Sequence, residues 1–75
     1  MFNVYKKDYL DGVWQEPVLE GEADNLDYVC SHLDEFGYTD AELQTLTYSI
    51  ISTTQININN QETGCVISEV LLEEK

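Results

Sequence analysis

Residues Leu46–Asn59 read LTYSIISTTQININ: the even positions are Leu46, Tyr48, Ile50, Ser52, Thr54, Ile56 and Ile58, and the odd ones are polar apart from Ile51. Apolar side chains at every second position belong to a strand with one buried face. After it, Asn59-Asn60-Gln61-Glu62-Thr63-Gly64 is rich in turn formers, and Cys65-Val66-Ile67 leads into Val70, Leu71 and Leu72. The expected unit is an antiparallel hairpin from Thr45 to Glu73. A lone hairpin is marginal in water, so the first half of the chain has to cover its apolar face.

That first half contains a second hairpin and a helix. Phe2–Lys6 alternates β-formers and predicts a strand, and Asp11-Gly12 supplies a turn. Val13–Glu20 predicts its partner, with Pro17 marking an edge or a bulge because proline cannot donate to a ladder. Gly21-Glu22-Ala23 breaks the pattern, and Asp24 is placed to cap a helix beginning just after it. Leu26, Val29, Cys30, Leu33 and Phe36 form a single apolar stripe, which predicts a helix over Asn25–Phe36 with Gly37 as its left-handed C-terminal cap. Thr39-Asp40-Ala41-Glu42 fits a capping box and predicts a short helical turn to Leu43 or Leu46. A helix continuing to Ile51 competes, since Leu43, Leu46, Thr47 and Ile50 also have helical spacing; the density of Thr and Ser favours the strand. The expected fold is a single α+β domain over residues 1–75. It has an antiparallel sheet of about four strands in two hairpins, order ββαββ, with one amphipathic helix on one face.

A chain of 75 residues buries only ~60% of the surface its unfolded form exposes, so the core is thin. Its charge sets the limits on function. Fifteen Asp and Glu stand against Lys6, Lys7 and Lys75, there is no arginine, and the formal net charge is -12. Solubility of a small domain is served by a magnitude of ~2 to 8, so self-repulsion here exceeds what solubility requires. Direct binding to DNA, RNA or an anionic bilayer needs clustered cations to replace counterions, which excludes those ligands and leaves positively charged partners. No run approaches the ~20 apolar residues of a membrane span, and the N-terminus lacks a signal-peptide core, so a soluble cytoplasmic protein is expected. Cys30 and Cys65 fit no metal or redox spacing and are expected as two reduced, partly buried thiols.

The candidate site is acidic. Asp27, Asp34 and Glu35 lie off the apolar stripe, Asp24 precedes the helix, and Asp40 and Glu42 continue the negative run beyond it. In a helix ending at Phe36, Asp34 and Glu35 occupy the last turn, where the dipole disfavours anions by ~0.3–1 kcal/mol each. Tyr28 and Tyr38 flank these acids and are expected as partly exposed contacts, whereas Trp14 and Tyr48 are expected in the core. The run Glu20, Glu22, Asp24, Asp27 has oxygen ligands to offer, but an EF-hand counted from Glu20 needs glycine and glutamate where Asn25 and Ser31 stand. His32 lies two residues from Cys30, a separation that points the side chains apart and forms no dyad. The reading is a non-enzymatic protein with no cofactor and no metal.

By size and charge, and through no sequence motif, the chain resembles the small acidic inhibitors of phages and mobile elements, among them anti-restriction DNA mimics and anti-CRISPR proteins. The resemblance implies a stoichiometric inhibitor that occupies the basic nucleic-acid-binding surface of a target such as a bacterial defence nuclease. The alternative is an acidic adaptor or subunit that binds through a sheet edge or apolar sheet face, a surface that also allows a homodimer.

Overall fold

The computed structural model describes all residues, Met1–Lys75. Six strands form one antiparallel sheet: β1 (Phe2–Leu10), β2 (Val13–Trp14), β3 (Val18–Ala23), β4 (Leu46–Ser52), β5 (Gln55–Asn60) and β6 (Val66–Glu74). Their order is β2-β1-β6-β5-β4, and β3 pairs with the same side of β1 as β2 does, further toward its start. Between β3 and β4 the chain crosses one face of the sheet through α1 (Leu26–Ser31), a 3₁₀ turn (Leu33–Glu35) and α2 (Asp40–Leu43). This corrects the expected α+β, ββαββ architecture: the protein is a predominantly β structure with two short helices.

Two departures account for the extra strands. Val13–Glu20 is interrupted at Gln15–Pro17, so it becomes two short strands, and β3 then runs through Gly21-Glu22-Ala23 rather than stopping before them. Glu20 is the bulge that permits this, since the register steps from Val4↔Gly21 to Tyr5↔Leu19. The stretch Leu46–Asn59 is a hairpin of its own, turning at Thr53-Thr54. Its pairs run Tyr48↔Ile58 and Ile50↔Ile56, then shift at Ile51 to Ser52↔Gln55. The bulge at Ile51 restores parity, so even positions pair with even positions along most of the hairpin. The alternation therefore passes through the turn without a change of phase and reads as one strand.

The helical segment is shorter than its apolar stripe. Asn25, rather than Asp24, caps α1, its Oδ1 accepting from the Tyr28 N–H at 2.8 Å. α1 ends before His32, whose own Nδ1 reaches the Tyr28 carbonyl at 2.9 Å while its backbone N–H turns to Val29. The side chain thereby takes the acceptor that the next helical N–H needs. Even so, Leu26, Val29, Leu33 and Phe36 are all buried. They pack on the sheet face formed by Val4, Ile56, Ile58, Val70 and Leu72. Gly37, at φ 93°, turns the chain away. The capping box forms as expected, with the Glu42 N–H donating to Thr39 Oγ1 and the Thr39 N–H donating to the Glu42 carboxylate. The opposite face of the sheet, which includes Tyr5, Tyr9, Trp14 and Leu71, has no helix over it.

Candidate functional site

The six acids singled out by the sequence, Asp24, Asp27, Asp34, Glu35, Asp40 and Glu42, are all exposed on the crossover between β3 and β4. Local structure explains their placement. Asp27 falls in the first turn of α1, Asp34 and Glu35 in the first turn of the 3₁₀ segment, and Asp40 and Glu42 in the first turn of α2. Helix starts favour anions, so the opposition between the dipole and Asp34 and Glu35 expected from a longer helix is absent.

Side-chain contacts gather four of these acids into two groups, with Asp27 and Asp40 outside both. In the first, the Tyr28 hydroxyl donates to both oxygens of Glu35, at 2.9 and 3.1 Å, and its ring stacks on His32 with centroids 4.1 Å apart. The hydrogen bond to the Glu35 carboxylate, helped by desolvation and by the charges of Glu35 and Asp34, raises the Tyr28 pKa. Tyr28 is 39% exposed, and Asp24 lies beside it in a shallow recess that also includes Glu22. The second group surrounds Lys6. Its Nζ donates to the Gly37 carbonyl at 2.7 Å, lies 3.8 Å from Asp8 and sits 4.1 Å from the centre of the Tyr38 ring. Glu42 is held below the ordinary carboxylate range by the Thr39 backbone and side chain, with Lys6 adding a smaller effect.

Tyr38 corrects the sequence reading. It is 4% exposed, its hydroxyl is shared with the buried Ser68, and its pKa is pushed up to about 12, mainly by burial. It therefore anchors the crossover to the sheet and presents nothing to a partner. Trp14 and Tyr48, expected in the core, are both exposed: Trp14 stacks on Tyr9 on the open face, and Tyr48 lies on the edge strand β4. Sequence reasoning left Asp8 out of the site and considered Glu20 only as a cation ligand, yet the charges of both bear on Tyr38, from β1 and from the bulge in β3. Reading β1 through to Leu10 is the signal that would have placed Asp8 on the same face as Val4 and Lys6.

None of the six acids forms an ion pair. Lys6 pairs with Asp8, Lys75 pairs with Glu22, and Lys7 lies over Trp14 on the open face, 5.6 Å from the ring centre. The crossover doubles back over the sheet: Asp27 lies by Ile50 and Ser52 of β4, Phe36 and Gly37 return to Gly21 and Glu20 of β3, and α2 leads back to β4.

Cys30 and Cys65 are unbridged; Cys65 is exposed, and burial raises the Cys30 thiol pKa, away from the low range of a reactive nucleophile. No three His, Cys, Asp or Glu side chains converge on a position that could hold a metal ion. No helix is long and apolar enough to cross a membrane. No protein-family model, curated protein or solved structure matches the chain.

Proposed function

We propose that this protein is a non-enzymatic acidic inhibitor that lays its β3-to-β4 crossover against the basic nucleic-acid-binding surface of a target protein. The observation that carries the reading is the ridge itself: Asp24, Asp27, Asp34, Glu35, Asp40 and Glu42 exposed in succession, with no cation paired to any of them. A basic groove evolved to neutralise phosphates gains counterion release from a dense array of carboxylates as well. Complementary potentials steer such an encounter and make it strongly dependent on salt. A bacterial defence nuclease in the cytoplasm is the type of target this chemistry fits.

The experiment is capture of partners from a bacterial lysate at low salt, followed by stepwise salt elution and competition with duplex DNA. A basic nucleic-acid-binding protein released by moderate salt and displaced by DNA supports the reading. A partner that survives high salt and ignores DNA overturns it. Replacing Asp34, Glu35 and Asp40 together by lysine is expected to abolish the DNA-competable interaction. Glu42 is left in place because it closes the capping box of α2.

A further inference from the structure

The two edges of the sheet differ in how they meet a further strand. The β3 edge carries the devices that prevent pairing: Pro17 just before it, a bulge at Glu20, and the charges of Glu20 and Glu22. The β4 edge has neither charge nor proline in its seven residues, pairs only with β5, and is exposed at every position from Thr47 to Ser52. Ile50 is 64% exposed and Ile51 53%. Such an edge pairs readily with another chain.

Two recesses flank this strand on its helix-covered side. One, of about 260 Å³, lies between Cys30, Leu33, Asp34, Leu43, Leu46 and Tyr48; the other, of about 350 Å³, lies between Asn25, Leu26, Asp27, Ile50, Ser52 and Thr53, with Leu26 and Ile50 as its apolar walls. These volumes fall at the lower end of the range for small-molecule pockets, on either side of ~300 Å³, and each has room for one side chain of a docked segment. Along β4 the recesses are about four residues apart, roughly 13 Å. On an added strand that is the separation of two side chains on the same face with one position between them. Asp34 lines the first recess and Asp27 the second, and neither has an ion pair.

We infer that β4 receives an extended, cationic segment of a partner protein, which pairs along Leu46–Ser52, seats two apolar side chains in the recesses and places Lys or Arg between Asp27 and Asp34. Charge selects this occupant. A second copy of the chain brings another net charge of -12 and sets the same carboxylates against each other, which opposes self-pairing. A cationic strand meets no such barrier, and its main chain supplies the hydrogen bonds that β4 lacks on its outer side. This contact depends on the order of residues in the partner segment, whereas the acidic ridge responds to charge alone.

The test uses the full chain, labelled for NMR and amide hydrogen exchange, with the synthetic peptide KTVTKTVTK. This peptide places valines four residues apart with a lysine between them on the same face. A rearranged peptide of identical composition, with that phase destroyed, is the control. The expected result is slowed exchange at alternate β4 amides and an affinity about tenfold above the control. Tyr48→Lys, at an exposed position that leaves the core intact, is expected to lower affinity about tenfold, and Asp27→Lys with Asp34→Lys to do the same. Equal binding of the two peptides, protection outside β4, no binding, or an unaffected Tyr48→Lys variant each overturns the inference. Protection of β4 in a dimer without peptide also overturns it, by making a second copy the occupant. Loss of DNA competition in the lysate experiment bears only on the ridge, so the two readings fail separately.

Discussion

Tyr38 and Ser68 form a test of how the acidic crossover is held. The Tyr38 hydroxyl and Ser68 Oγ are hydrogen-bonded across the core, with Tyr38 4% and Ser68 1% exposed. Neither hydroxyl makes a hydrogen bond to any other side chain. Tyr38→Phe keeps the ring under Lys6 and removes only the hydroxyl, which leaves Ser68 buried without that partner. The bond contributes ~0.5–1.5 kcal/mol net, and an orphaned buried hydroxyl costs ~1–3 kcal/mol, so the single variant should lose about 1–2 kcal/mol. Ser68→Ala should lose a similar amount for the converse reason. The double variant leaves no orphan and should lose about 1 kcal/mol, well short of the ~2–4 kcal/mol that additivity predicts. Urea denaturation reads this directly: with a slope of ~1 kcal/mol/M at this size, each single variant lowers the midpoint by about 1–2 M and the double variant by about 1 M. Losses that add within ~0.5 kcal/mol would refute the pairing of the two hydroxyls.

The same tyrosine gives a pH signature. Its pKa is raised from 10.0 to about 12 in the folded state, so between those values the unfolded chain has released a proton that the folded chain retains. Fewer protons on the unfolded state means that stability falls as pH rises above about 10, and Tyr38→Phe should remove that part of the fall.

Three further outcomes are expected. Raising salt from about 0.01 M to 1 M shortens the screening length from ~30 to ~3 Å, and relief of about 1 kcal/mol of repulsion should raise Tm by ~4–8 °C; a flat Tm by calorimetry counts against a crowded acidic surface. Glu42→Gln removes an acid whose pKa is lowered in the folded state, so the stability that this charge provides is present above pH 4.5 and is lost on acidification below it; the variant should show a weaker acid dependence in urea titrations between about pH 6 and 3, and an unchanged profile would refute the role of the capping box. Gly37→Ala forces a residue with a Cβ into φ 93° and brings that Cβ to 2.7 Å from the Glu20 carboxylate, so it should cost about 1–2 kcal/mol in the same assay, most of it from the backbone because the Glu20 side chain can swing aside.

The features that sequence reasoning places correctly rest on side chains acting within a few residues of themselves. The buried stripe from Leu26 to Phe36, the Thr39–Glu42 capping box and the left-handed turn at Gly37 are all local, and all are present. The features that escape it depend on pairing between distant residues. Nothing in Ser52-Thr53-Thr54-Gln55 resembles the Asn-Gly or Asp-Gly of a tight hairpin, and the bulge at Ile51 hides the turn further by preserving the alternation. Large aromatics fill small cores, which is why sequence reasoning puts Tyr48 and Trp14 inside. Their exposure is a consequence of strand order, since Tyr48 lies on the outermost strand and Trp14 on the face without a helix.

Those two misplacements bear on function, because they locate the apolar surface that the core does not use. Exposed apolar side chains on β4 sit beside an uncharged, unprotected strand edge, an arrangement that favours aggregation in an ordinary domain. Here every copy also carries a net charge of -12, so association between copies is opposed while association with cationic chains is favoured. On the inference drawn for β4, the excess charge that solubility alone does not require gains a physical role, that of keeping one edge open against self-pairing. Neutralising Asp27 and Asp34 to Asn, which removes charge beside β4 while leaving its sequence unchanged, should shift sedimentation toward a dimer as concentration rises. A strictly monomeric variant at high salt would mean that geometry, rather than charge, keeps this edge free.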